Sequence, residues 1–385
     1  MNEGQPSTLF LPDSKYQKGL SRRRRWLVID FDGTCTEHDT TPLLPRLAAL
    51  ATRSLSEISQ HDDDVYDHQI DLQKRLDKFQ VLEDEFMRRY SEARSKMSAC
   101  NDDESITLNS VLDALDEPSC VVTDMVSESG CLSGLGLAST DEMEKMLSLH
   151  GITKFGNGSE KRTPEKENNG EHLAGDKVEV RLRQDCESAL ARILLNKEAD
   201  SDKDTQKCLG WSLAVLSINW CPALIDASLV QPVLRRRRSA MKLDTCDTEV
   251  PIWSNEVDRD GAVTLNVPGA LAKRDRILEL RRQMNQECKE TQSIIIYVGD
   301  SSTDLAGLLA ADVGIIMGSS SSLFQIADTW GVKIVPLKNR NEHDFKSLLK
   351  MNYEDSAQKK LLWQVDHWQD IDDALQDIDQ LWIKS

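Results

Sequence analysis

The stretch Trp26-Leu27-Val28-Ile29-Asp30-Phe31-Asp32-Gly33-Thr34 decides how the rest of this chain is read. Its four large apolar residues follow Arg22–Arg25 and run into a carboxylate–glycine turn. Such a run is too short for a helix and suits a strand buried on both faces. The arginines read as a solvated strand entry rather than a basic address signal. Comparable runs recur at Trp211–Leu216, Ile294–Val298, Val313–Met317 and Ile334–Leu337. Helical stretches near 222–233, 270–287, 302–311 and 320–329 lie between them.

Strands that alternate with helices predict an α/β fold, a Rossmann-like doubly wound parallel sheet. The first strand stands far from the others, and the pattern between is helical. Leu72, Leu76, Phe79, Leu82, Phe86 and Tyr90 recur at steps of three and four, on one helix face. Ser139-x-x-Glu142 forms a capping box before Met143, Met146 and Leu147, with Gly151 as a stop. A further helix runs through Leu190, Ile193 and Leu194. The expected layout is a core of residues 22–37 and 206–350, interrupted by a helical cap at 38–205. The cap carries a polar, disordered insertion at 152–176. Residues 1–21 read as a flexible leader and 351–385 as a C-terminal helical tail, its tryptophans 363, 368 and 382 packed on the core.

Composition excludes several classes. The 385 residues hold 47 basic and 65 acidic ones, a net charge of −18, which argues against a nucleic-acid partner. No apolar run reaches the ~20 residues of a membrane span. The first 25 residues lack the apolar centre of a secretory signal. Nine cysteines without a Cys-x-x-Cys pair read as reduced thiols of a cytoplasmic protein, with organellar targeting left open. The seven histidines show no metal spacing. The run Arg235–Arg238 reads as a solvated helix end rather than a steering patch.

Four sites fall at predicted carboxyl ends of core strands or early in a helix, the edge where open α/β sheets bind ligands. Asp30 and Asp32 can send two carboxylates into one site, one to attack phosphorus or bind metal, the other to move a proton. Ser217 closes its strand with a hydroxyl suited to phosphate oxygens. Lys273 is a cation early in a helix. Gly299-Asp300-Ser301-Ser302-Thr303-Asp304 offers hard oxygens that suit Mg²⁺. Each feature alone is weak; their order and their strand context together are specific.

This set resembles the haloacid dehalogenase-like hydrolase superfamily over about residues 26–40 and 210–337. The resemblance implies Asp30 as the nucleophile that forms an aspartyl-phosphate and Asp32 as general acid, then base. It implies phosphoryl binding by Ser217 and charge balance by Lys273, with Thr34 and Asn219 also facing substrate. Mg²⁺ is implied on Asp30, Asp300 and the Asp32 backbone carbonyl, with Asp304 holding the metal shell. The insertion corresponds to a C1 cap that closes over the site. Asp39-Thr40, Ile252-Trp253-Ser254-Asn255-Glu256, Ser319–Ser322 and Trp368-Gln369-Asp370-Ile371 are similar to the phosphatase domain of plant bifunctional thiamine enzymes. The expectation is therefore a Mg²⁺-dependent phosphomonoesterase acting on a small phosphate ester, thiamine monophosphate first. The alternatives are a nucleotide, phosphoserine-type or sugar-phosphate phosphatase, a non-catalytic binding protein of the same fold, or a phospho-accepting receiver domain.

Overall fold

A computed structural model describes residues 25–56, 64–99, 107–149, 153–154, 179–195, 211–241, 248–287, 293–339 and 361–384. Strand β1 (Arg25–Ile29) leads to helices α1 (Leu44–Ser56), α2 (Asp64–Ala99), α3 (Leu108–Ser129) and α4 (Thr140–Leu149). Strands β2 (Thr153–Lys154) and β3 (Val180–Arg181) and helix α5 (Cys186–Leu195) come next. Then β4 (Ser212–Leu216) precedes α6 (Pro222–Ile225), which continues through a π-turn into α7 (Gln231–Met241). Strand β5 (Ile252–Trp253), the hairpin β6 (Glu256–Val257) and β7 (Val263–Thr264), and α8 (Ala270–Glu287) follow. The chain closes with β8 (Ile294–Gly299), α9 (Leu305–Ala310), β9 (Val313–Met317), α10 (Ser321–Thr329), β10 (Lys333–Pro336), β11 (Leu361–Val365) and α11 (Trp368–Lys384).

Seven strands form one sheet in the order β10-β11-β9-β8-β1-β4-β5, with every neighbouring pair parallel. The α/β expectation holds. Alternation along β1 sends Leu27 and Ile29 to one face, with α5, α7 and α11, and Trp26 and Val28 to the other, with α8, α9 and α10. Burial on both faces is why these strands read as unbroken apolar runs.

Three features differ from the sequence reading. Leu361–Val365 is not part of a helical tail but strand β11, inserted between β10 and β9. Five residues carry no period of their own; two waiting ladders make them a strand. Helix α3 was not foreseen, because Pro118 lies inside it. Helix α5 packs on α7 and α11, and Arg192 on it meets Asp372 at 2.7 Å, so the chain rejoins the core well before residue 205. Of the insertion 152–176, Thr153–Lys154 pairs with β3; its remainder, the leader and Gly151 lie outside the described residues. So does the side chain of Trp382, whereas Trp363 and Trp368 are buried.

The basic run on α7 works as structure. Arg235 pairs with Glu144, Arg236 with Glu187, and the buried Arg237 donates to the Leu194 carbonyl. Among the described residues no helix is long and apolar enough to cross a membrane.

Helix α3 touches the core at a charged point. Asp116 accepts from the Ala270 amide at the start of α8, 2.6 Å away. Gly269 makes room, since a Cβ there would stand 2.0 Å from the Asp116 carboxyl carbon. Burial pushes the Asp116 pKa up from 3.8 to about 7. Between those values the folded chain keeps a proton that the unfolded chain has lost. Stability from this group therefore falls as pH rises through that window. Asp116→Asn keeps an acceptor and deletes the titration. Going from pH 4 to pH 8, the wild type is expected to lose about 1–3 kcal/mol relative to the variant. That is less than the roughly 4 kcal/mol that a rise of about three pKa units allows at ~1.4 kcal/mol per unit, because solvent screens the half-buried carboxyl. Urea midpoints at the two pH values measure it; parallel changes in both proteins refute the assignment.

Candidate active site

Three adjacent strand ends build the site at the switch point, where β1 lies between β4 on one side and β8 on the other. Asp30 follows β1, its amide bonded to the Val298 carbonyl at 2.9 Å, and it is 4% exposed. Ser217 follows β4 and is buried, its amide on the Trp253 carbonyl. Asp300 follows β8.

Lys273 comes from the first turn of α8 and has no exposed surface. Its Nζ lies 3.0 Å from Asp30 Oδ1 and 2.7 Å from Asp304 Oδ1. The Tyr297 hydroxyl also donates to Asp304 Oδ1, at 2.6 Å. Asp304 Oδ2 accepts from the Asp300 amide, the Ser301 amide and the Ser301 hydroxyl, each at 3.0 Å. Burial opposes the charge on Asp304, but Lys273 and these donors outweigh it and hold the carboxyl below its usual range. Burial likewise opposes the charge on Lys273, and Asp30 and Asp304 raise its pKa regardless.

Asp32 belongs to a second network beside the first. Its Oδ1 accepts from the Thr40 amide at 2.8 Å and the Thr40 hydroxyl at 2.7 Å; its Oδ2 accepts from Asn219 Nδ2 at 2.8 Å. The Ser217 hydroxyl accepts from the Asn219 amide, 3.2 Å away. Burial, then the charge of Asp39, raises the Asp32 pKa to about 6 against those hydrogen bonds. Asp30 is pushed well above the usual range by burial, against the pull of Lys273. The two carboxylates thus have separate surroundings, one on a cation and one on neutral donors, which is what distinct chemical roles require.

Asp30, Asp300 and Asp304 place ligand oxygens within 4.8 Å of one another. Burial, then Asp304, raises the Asp300 pKa to about 7, while Thr34 donates to its Oδ1 at 2.9 Å. Asp30 Oδ1 is buried and, apart from the ion pair with Lys273, accepts no hydrogen bond. A cluster of mutually repelling hard oxygens, with Asp30 and Asp300 both raised in pKa, fits a divalent cation such as Mg²⁺. The five donors on Asp304 leave Asp30 and Asp300 as the open carboxylates.

A cavity of about 210 Å³ adjoins the Asp32 network, lined by Phe79, Phe86 and Trp220 with Asp39 and Glu83 among the polar groups. Phe79 and Phe86 come from the face of α2 read from the sequence. Every sequence-predicted site residue reaches this edge. Tyr297 was not singled out in the sequence although it lies seven residues before its partner Asp304, and Arg183, whose Nε donates to the Gly33 carbonyl at 2.8 Å, carries no local signal because that partner is 150 residues away.

The parallel sheet with Asp30 and Asp300 on adjoining strand ends has the architecture that the haloacid dehalogenase-like resemblance implied. No family model matches the chain. It is similar to the bifunctional TH2 protein, mitochondrial, of Arabidopsis thaliana, at 24% identity over 312 residues, 80% of this chain and 42% of the relative. The chain thus spans less than half the length of that relative. Similar solved structures include a phospho-aspartyl intermediate analogue of phosphoserine phosphatase, at 11% identity and a TM-score of 0.33, covering 80% of this chain and 91% of that one. A Bordetella pertussis Tohama I protein of unknown function matches at 13% identity and a TM-score of 0.34, covering 80% and 96%.

Proposed function

We propose that this chain is a Mg²⁺-dependent phosphomonoesterase that acts on a small phosphate ester through an aspartyl-phosphate on Asp30. The observation that carries it is the division of labour: a buried Asp30 on Lys273, and Asp32 apart on Thr40 and Asn219. Asp30 attacks phosphorus, and the leaving oxygen takes a proton from Asp32. Asp32 then accepts a proton from the water that hydrolyses the acyl-phosphate. Lys273 offsets the charge of Asp30 and the phosphoryl group, and Ser217 offers a hydroxyl to its oxygens. Asp30, Asp300 and the Asp32 backbone carbonyl would hold Mg²⁺, with Asp304 bracing that shell; the ion supplies charge neutralisation for the dianion.

Thiamine monophosphate is the first substrate proposed. The similarity to the TH2 protein supports it, and so does the cavity, whose aromatic walls and carboxylates suit a flat cationic heterocycle. Phosphate release from a metabolite panel, with Mg²⁺ and with chelator, tests both levels. Release from thiamine monophosphate above nucleotide, phosphoserine and sugar phosphates is expected. Release from none of them defeats the reading and favours a binding protein. Phe86→Ala is expected to lower kcat/KM for thiamine monophosphate about tenfold, the usual worth of an apolar pocket contact, and to spare p-nitrophenyl phosphate.

Gly33 adopts φ +70°, and a Cβ there would stand 2.3 Å from Asp300 Oδ2. Gly33→Ala therefore strains the loop and displaces Asp300. Turnover is expected to fall about a hundredfold, consistent with ~1–3 kcal/mol of local strain. An unchanged rate and an unchanged Mg²⁺ midpoint sink the close-approach argument.

A further inference from the structure

We propose that Arg183 and Trp368 are positioning residues that clamp the nucleophile loop, so that two segments outside the four motifs govern Mg²⁺ affinity and turnover. The effect on turnover rests on the phosphatase reading; the effect on the loop does not.

The clamp consists of two donors on adjacent carbonyls. Arg183 Nε donates to the Gly33 carbonyl at 2.8 Å, and Trp368 Nε1 donates to the Thr34 carbonyl at 3.1 Å. Thr34 in turn donates from its hydroxyl to Asp300 Oδ1. Fixing the Thr34 backbone therefore fixes the hydroxyl that orients Asp300, an open carboxylate of the cluster. The backbone around Arg183 is itself tied down. Its amide donates to the Cys35 carbonyl at 2.8 Å, the Glu37 amide donates to the Arg181 carbonyl at 2.8 Å, and Thr36 bridges Leu182. This short antiparallel contact carries Arg183 to the site just before α5.

Trp368 has no exposed surface, and a buried indole N–H needs an acceptor. Its acceptor lies 334 residues away, which keys the first residue of α11 to the loop after β1. Arg183 is half-buried, and besides its donation to the loop carbonyl its charge lowers the pKa of Asp300. Its fixed contact at the site is the loop carbonyl. Neither side chain reaches the aromatic cavity on the Asp32 side, so neither is placed to select the leaving group.

Two variants separate positioning from mere packing. Trp368→Phe keeps the ring and deletes the donor; Arg183→Met keeps the stem and deletes the donor. The positive charge that Arg183→Met also removes acts on Asp300, and its loss would by itself tighten Mg²⁺ binding, so a weaker affinity reports the lost donor. Hydrogen exchange of the 31–36 peptide is the first readout, because the Gly33, Cys35 and Thr36 amides all have protein acceptors to lose. Mg²⁺ affinity by calorimetry on the substrate-free chain is the second. In each variant, loop exchange is expected to quicken and Mg²⁺ affinity to weaken about three- to tenfold, the scale of one hydrogen bond. kcat should fall by a similar factor with KM nearly unchanged. Either exchange or affinity changing without the other overturns the clamp, as does a lowered melting temperature with loop exchange unaltered. If Trp368→Phe does not fold, Arg183→Met decides alone. A wild type that binds Mg²⁺ and shows these loop effects, yet hydrolyses no ester, keeps the clamp and removes the phosphatase reading.

Discussion

Asp30→Asn is expected to abolish phosphate release while the chain stays folded. An amide oxygen is a poor nucleophile and cannot give the acyl-phosphate, so at least a thousandfold loss follows, the range seen when a nucleophile is removed. Folding survives because Asp30 sits at the end of β1, outside the apolar alternation, and its backbone amide still bonds Val298. The variant relieves repulsion among Asp30, Asp300 and Asp304 but gives up the ion pair with Lys273, which keeps Asp304, so only a modest change in melting temperature is expected. Phosphate release is to be followed on protein checked by mass spectrometry for deamidation. Retention of more than a trace of the rate shows that another group attacks phosphorus.

Lys273→Met is expected to have the largest effect on stability. It strips a fully buried cation from two buried carboxylates, Asp30 at 3.0 Å and Asp304 at 2.7 Å. Breaking a buried pair from one side typically costs about 3–5 kcal/mol. The penalty has a pH sign. Without the cation, Asp304 joins Asp30 in taking up protons on folding, so the variant should be least stable near pH 8 and recover as pH falls toward 5. Lys273→Met with Asp304→Asn removes one stranded charge and should regain much of the stability but none of the turnover. Urea midpoints of the three proteins at both pH values measure this. A single variant as stable as the wild type at pH 8 contradicts the ion-pair geometry.

Much of the candidate site is legible in the sequence, for a physical reason. A parallel strand buried on both faces must be an unbroken apolar run, and the first polar residue after it marks the sheet edge. Asp30, Ser217 and Asp300 could therefore be placed by reading where Leu27–Ile29, Trp211–Leu216 and Ile294–Val298 stop. Helix α8 begins and ends where its pattern predicts, at Ala270–Glu287, which carried Lys273 to the site. Elements without a period of their own were not legible. β11 is a strand because β9 and β10 flank it, and α3 hides Pro118 inside its length.

The sequence by itself determined the α/β class, the helical insertion after the first strand and the types of group at the sheet edge, because burial and periodicity are local properties. Only the tertiary structure decided which group faces which. Asp304 gathers Lys273, Tyr297 and the Ser301 turn, Asp32 is held by Thr40 and Asn219, and Arg183 and Trp368 close on the carbonyls of Gly33 and Thr34. Those contacts join residues up to 334 positions apart, and a hydrogen bond over such a span leaves no periodic trace in the chain.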